Sequence, residues 1–322
     1  MRTRNRTNSK DDVGVATATE PPLRPPKQAR PSKWQRLRVS ARLAAMNKRL
    51  LQVTLVLGVW VVAVCAALTM RPSQVSAQDW ARQSLDQSPR HQEWVKIPNG
   101  NRTIQAFVVY PEVSKKVPVL VMIHEIFGLS DWVRSMADQL AAQGYIAIAP
   151  DLLSGTGPNG GGSSAYPDQD ARVKAVSMLD SGQVMSDLNA TADYAKKLPA
   201  ANGKLAVIGF CWGGGKSFQF ATVRHDLSAA FVFYGPQPKD IAAITAPVYG
   251  FYAGNDARIS ATVPATEQAM QKLGKTYDPV IYADAGHGFM RMGEDPGNTN
   301  PANVKARKEA TQRLETLLKH IE

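Results

Sequence analysis

The sequence predicts an α/β fold: one mostly parallel, doubly wound sheet flanked by helices, in a single domain over residues 78–322. Three observations carry this. Short apolar runs alternate with segments of helical spacing from residue 104 to the end, the pattern of successive strand–helix units. Val117-Pro118-Val119-Leu120-Val121-Met122-Ile123 and Leu205-Ala206-Val207-Ile208 are near-continuous apolar runs, as strands covered on both faces require. No internal repeat is present, and nothing after residue 100 marks a second domain.

The elements follow in chain order. Residues 78–100 are polar and read as a short lead-in. Ile104 to Tyr110 is a strand candidate, and Val117 to Ile123 is the strongest one. Residues 130–143 bring Trp132, Met136 and Leu140 onto one helical face, and Gly144 supplies the stop. Tyr145 to Ala149 is the next strand. Residues 154–167, rich in Gly, Ser and Pro, form a long loop of the kind that walls or covers an entrance. Residues 168–198 make two helices broken near Ser181-Gly182 and lead into the strand before Cys211. A helix from Gly213 to about Arg224 follows, then strands at 229–234 and 248–253. Helix 262–273, strand 278–283 and an amphipathic helix over 302–321 complete the chain.

The formal charge of +11 suggests nucleic acid until its distribution is examined. Residues 1–49 hold 13 Lys/Arg against 3 Asp/Glu, which leaves 25 and 24 in the remainder. The domain itself is electrically balanced, so no nucleic-acid partner is expected. The basic tail is followed by an uncharged apolar stretch from Leu50 to Met70, and then by Val75-Ser76-Ala77 before Gln78. Small residues in Val-x-Ala suit a signal peptidase, and Met46-Asn47-Lys48-Arg49 supplies a positive region of normal length. Segment 50–77 is therefore expected to be a signal peptide, with Met46 as the start of translation and 1–45 untranslated. An uncleaved anchor helix is the competing reading, since about 20 apolar residues span a bilayer. Either route exports the domain to the periplasm or beyond.

Of two cysteines, Cys65 falls in the apolar segment, which leaves Cys211 alone in the domain. One thiol forms neither an intrachain disulfide nor a thiolate metal cluster. Cys211 stands in Gly209-Phe210-Cys211-Trp212-Gly213-Gly214, directly after an apolar strand. Gly-x-nucleophile-x-Gly at a strand end describes a nucleophile elbow, whose sharp turn needs flanking residues without side chains. A Gly-rich nucleotide-binding turn would look similar in isolation.

Two more strand ends carry chemistry. Gly254-Asn255-Asp256 follows the strand ending at Ala253, and Ala285-Gly286-His287-Gly288-Phe289 follows the one ending near Asp284. Loops at the carboxyl ends of a parallel sheet converge on one crevice. The order nucleophile, acid, histidine is that of α/β hydrolases. His287 is thus the expected base and Asp256 the group that holds its tautomer. The backbone N–H groups of Trp212 and Ile126 are candidates for an oxyanion hole. Glu125 is expected near the thiol, holding it neutral until substrate arrives. His124 precedes the nucleophile in the chain and is read as a supporting group rather than the base.

With Glu125-Ile126-Phe127-Gly128, the elbow, Asp256 and Ala285-Gly286-His287 combined, the chain resembles the dienelactone hydrolase (carboxymethylenebutenolidase) family over roughly residues 95–320. Pro150-Asp151-Leu152 and Asn202-Gly203-Lys204 belong to the same likeness. The resemblance implies a Cys211-Asp256-His287 triad, participation of Glu125 in activating the thiol, and no metal or organic cofactor. It also implies two arginines that bind a substrate carboxylate. Arg291, four residues after the histidine, matches one; an ungapped count for the other lands on Gln169, with Arg172 three residues on. The expected activity is cysteine-dependent hydrolysis of a small ester or lactone through an acyl-enzyme. The alternatives are an esterase for a substrate other than dienelactone, or a non-catalytic exported binding protein on this scaffold.

Overall fold

A computed structural model describes residues 78–321. The basic tail, the apolar segment with its cleavage signal, and Glu322 lie outside the described residues. Eight strands form one sheet: β1 (Gln92–Asn99), β2 (Arg102–Val109), β3 (Val117–Ile123), β4 (Ile146–Asp151), β5 (Ala201–Phe210), β6 (Ala229–Phe233), β7 (Val248–Ala253) and β8 (Tyr277–Tyr282). Their order across the sheet is β1-β2-β4-β3-β5-β6-β7-β8. Strands β3 to β8 run parallel, while the β1–β2 hairpin is antiparallel and joins β4 antiparallel through β2.

Every residue of β3 is buried, which is why its sequence is apolar without alternation. Leu120 and Met122 face one layer of helices, α1 (Asp79–Asp86), α2 (Asp131–Ala142) and α9 (Pro301–Leu318). Val119, Val121 and Ile123 face the other, which includes α4 (Ser181–Lys196), α5 (Trp212–Val223) and α7 (Val263–Lys272). Burying each Val, Leu or Ile side chain contributes about 1.5–3 kcal/mol, so the central strands anchor both faces at once.

The predicted elements recur, with differences at several places. Residues 78–100 are not a bare lead-in but hold α1 and β1. The edge strand β1 is mostly half-buried or exposed and buries Ile97 alone, so it carries no apolar run. Helix α1 buries only Ala81 and Leu85. The break between α3 (Gln169–Ser177) and α4 falls at 178–180, ahead of Ser181-Gly182. There the Asp180 side chain accepts from Gln183 N–H and caps α4. Finally, the Gly-rich loop contains two short 3₁₀ turns, Pro158–Gly160 and Ser163–Ala165. Among the described residues, no helix is long and apolar enough to cross a membrane.

Candidate active site

The carboxyl ends of β5, β6 and β7 are locked side by side by aromatic rings. Phe210 and Phe233 are register partners with ring centroids 4.8 Å apart, and Phe233 and Phe251 are partners stacked at 4.1 Å. This layer fixes the strand ends from which two of the candidate residues emerge.

Cys211 follows β5 with φ 59 and ψ −118, a left-handed conformation costly for a residue bearing Cβ. Its N–H donates to the Phe233 carbonyl at 3.0 Å, and its carbonyl accepts from Gly215 N–H at 3.2 Å. The flanking glycines are demanded by contact. A Cβ on Gly209 would lie 2.0 Å from the Gly213 carbonyl oxygen, and one on Gly213 would lie 2.4 Å from the carbonyl oxygens of Ile123 and His124. The elbow is thereby pressed onto the end of β3, just ahead of the turn that holds Ile126.

His287 lies beyond β8. Its loop is held by Asn303 Oδ1, which accepts from Gly286 N–H at 2.9 Å, and by the Ala285 carbonyl, which accepts from Asn255 N–H at 2.9 Å. Nε2 of His287 is 3.0 Å from Cys211 Sγ, and Nδ1 is 2.6 Å from Asp256 Oδ2. Asp256 follows β7 and is buried. Burial pulls the imidazole toward its neutral form, but the sulfur and Asp256 outweigh it and push His287 up to about 9. An imidazolium at that site sets a positive charge beside the sulfur.

Glu125 and Arg291 come together, with Arg291 Nε donating to Glu125 Oε2 at 2.9 Å. Glu125, expected near the thiol, and Arg291, expected toward substrate, are thus bonded to one another, while the hydrogen bond at Sγ is with His287. Burial pushes the Glu125 carboxyl above its ordinary range, against the pull of the Arg291 guanidinium. The same guanidinium sits 5.1 Å from the Phe127 ring centroid.

Phe127 also lines a cavity of about 400 Å³ whose wall includes Trp94, Arg134, Ser163, Gln169 and Arg172. Arg172 has no ion-pair partner among the described residues. The Gly-rich loop is pegged beside this cavity. Asp151, at the end of β4, accepts from Ser163 N–H and Ser163 Oγ, both at 2.7 Å, and Ser163 Oγ accepts from Leu129 N–H at 2.9 Å.

Trp212 opens helix α5, so its N–H has no carbonyl to meet within that helix. Ile126 lies in the turn that Gly128 N–H closes onto the Glu125 carbonyl at 3.2 Å. Sequence reasoning missed Tyr234. It is buried with φ 40, lies 5.1 Å edge-on to the His287 ring, and its hydroxyl has no hydrogen-bond partner among the described residues. The apolar run 229–234 gave no hint that its last residue leaves the strand. Among the described residues, no cluster of three or more His, Cys, Asp or Glu could hold a metal ion.

A mostly parallel eight-stranded sheet with these residues at its carboxyl edge has the fold of an α/β hydrolase. The sequence profile of the dienelactone hydrolase family matches residues 104–322. A provisionally named carboxymethylenebutenolidase of Methylorubrum extorquens is 34% identical over 209 residues, covering 61% of this chain and 71% of its own. One from Saccharolobus solfataricus is 30% identical over 250 residues, 68% of this chain and 94% of its own. Among solved structures, a provisionally named dienelactone hydrolase from Klebsiella pneumoniae aligns with a TM-score of 0.63 at 28% identity, over 71% of this chain and 98% of that one. The chain belongs to the dienelactone hydrolase family, and it is a hydrolase acting on esters or lactones.

Proposed function

We propose that Cys211 is the nucleophile of this hydrolase and that turnover passes through a thioester acyl-enzyme. The observation that carries the proposal is the unbroken chain of contacts, 3.0 Å from Sγ to His287 and 2.6 Å from His287 to Asp256. The thiolate attacks the carbonyl carbon, and the displaced electron pair moves to oxygen, where the Trp212 and Ile126 N–H groups stabilise it. Collapse breaks the carbon–oxygen bond, and the His287 imidazolium gives its Nε2 proton to the leaving alkoxide. In a lactone that group stays tethered to the acyl chain. Water then attacks the thioester, His287 takes a proton from it, and collapse of the second intermediate returns the thiolate and the carboxylic acid. Asp256 holds Nδ1 protonated throughout.

To Arg172, which lines the cavity beside Phe127 and has no ion-pair partner among the described residues, we assign the carboxylate of the substrate. Because Gln169 stands where the family resemblance calls for an arginine, an ester or lactone other than dienelactone itself is favoured. A binding protein without turnover has no observation in its favour, since the three side chains stand in bonding order. Export is part of the same proposal, supported by the basic 1–49 tail and the apolar 50–70 stretch. Fractionation of cells expressing the full chain tests it; domain found only in cytosol would end it.

The central experiment is a panel of neutral and carboxylate-bearing esters and lactones with Cys211→Ala. Turnover should vanish while the fold, checked by circular dichroism, persists. Activity equal to that of the unsubstituted enzyme would refute the nucleophile.

A further inference from the structure

His124 directly follows β3, is fully buried, and has no part in the triad. Its Nδ1 lies 2.8 Å from the Glu125 carbonyl oxygen. A carbonyl only accepts, so Nδ1 carries the proton. Burial pushes this imidazole below its ordinary value, and the neutral ring leaves Nε2 bare, with no hydrogen-bond partner among the described residues. On one face the ring stacks against the Trp212 indole, with centroids 5.5 Å apart and planes 12° from parallel.

The Glu125 carbonyl and the Ile126 N–H belong to one peptide unit. That unit is planar and trans, with no cis bond in the described chain, so its C=O and N–H point in opposite directions. Whatever holds the oxygen therefore aims the N–H. Two donors hold it: His124 Nδ1 at 2.8 Å and Gly128 N–H at 3.2 Å. The same imidazole lies flat on the side chain of Trp212, which bears the other candidate oxyanion donor. One side chain thus touches the residues behind both donors, in a place where leucine would fill the space without leaving a bare nitrogen.

We infer that His124 is the positioning residue of the oxyanion hole: its Nδ1–H pins the Glu125–Ile126 peptide so that the Ile126 N–H points at the developing oxyanion. The inference rests on the proposed roles of Cys211, Trp212 and Ile126. Without the Nδ1 donor, the peptide is left with the longer Gly128 bond, and its rotation would turn a carbonyl toward the oxyanion instead of a donor.

The test compares His124→Phe, which keeps a ring on Trp212 but has no donor, with His124→Asn, whose amide nitrogen falls near the place of Nδ1. Each is assayed on an activated ester, on the matching thionoester, and for alkylation of Cys211 by iodoacetamide. Thionoester sulfur is a poor acceptor and draws little from the hole, and alkylation develops no oxyanion. His124→Phe should lower kcat on the oxygen ester by about 100- to 1000-fold, the loss seen when one oxyanion donor is removed. KM, the thionoester rate and alkylation should stay within a few-fold, and His124→Asn should recover most of the loss. If His124→Phe folds poorly, His124→Leu supplies the same comparison. The inference is overturned if the donor-free variants keep full kcat, if ester, thionoester and alkylation rates fall together, or if asparagine rescues nothing. Failure of the nucleophile assignment would show separately, as turnover by alkylated enzyme with His124 intact.

Discussion

Replacing Arg291 by alanine should make the stability of this domain fall more steeply as pH rises than it does with Arg291 in place. The Glu125 side chain is 2% exposed, and Arg291, whose side chain is 22% exposed, is the cation bonded to it at 2.9 Å. Removing one partner of a buried pair costs about 3–5 kcal/mol; the partial exposure of Arg291 puts this case near about 3. For a domain of this size that is a fall in Tm of about 6–12 °C at pH 8. The sign of the pH effect follows from the proton. Burial already pushes Glu125 up, and losing the guanidinium pushes it further. The folded variant then binds a proton that the unfolded chain has released above about pH 4.3. Stability therefore falls as pH rises through that window, by about 1.4 kcal/mol per unit, until the folded carboxyl also ionises. Urea melts at pH 5 and pH 8 should show a small deficit at the first and the full deficit at the second. Adding Glu125→Gln should abolish the slope and recover much of the loss. A deficit equal at both values, or none at pH 8, would refute the view that Arg291 neutralises a buried charge.

Asp256→Asn removes one of the groups that push His287 up to about 9. The alkaline limb of kcat/KM, which marks loss of the imidazolium that protonates the leaving group, should move to lower pH, and kcat should drop by about 10⁴. A limb that stays in place in a pH–rate profile counts against the role given to Asp256. Gly213→Ala puts a Cβ 2.4 Å from two backbone oxygens at the end of β3. Neither oxygen can swing aside as a side-chain tip would, so the elbow must shift, and activity should collapse with a clear drop in Tm by calorimetry. Near-normal turnover would mean that the elbow does not bear on β3 as described.

Much of this was legible before any coordinates because it is written in short-range pattern. Burial on both faces leaves β3 as seven consecutive buried residues, and the elbow shows as Gly-x-Cys-x-Gly within a few residues of Cys211, although the contact that forces Gly213 comes from the distant end of β3. Asp256 and His287 were found because parallel topology brings strand ends together wherever they lie in the chain. What escaped notice depends on pairs far apart in sequence. Glu125 and Arg291 are 166 positions apart, and Asn303 supports the histidine loop from a different helix. No local rule announces either contact. Strand β1 was lost for a simpler reason: an edge strand that buries one side chain has almost no apolar signature.

Asp151 gives the Gly-rich loop a fixed point on the sheet, since Ser163 hangs from its carboxylate by two bonds. The stretch from 154 to 162 is thereby an arch with both feet set in the scaffold, and its span can be rewritten while the feet stay planted. Changes along that arch should therefore leave the sulfur and the imidazole where they are.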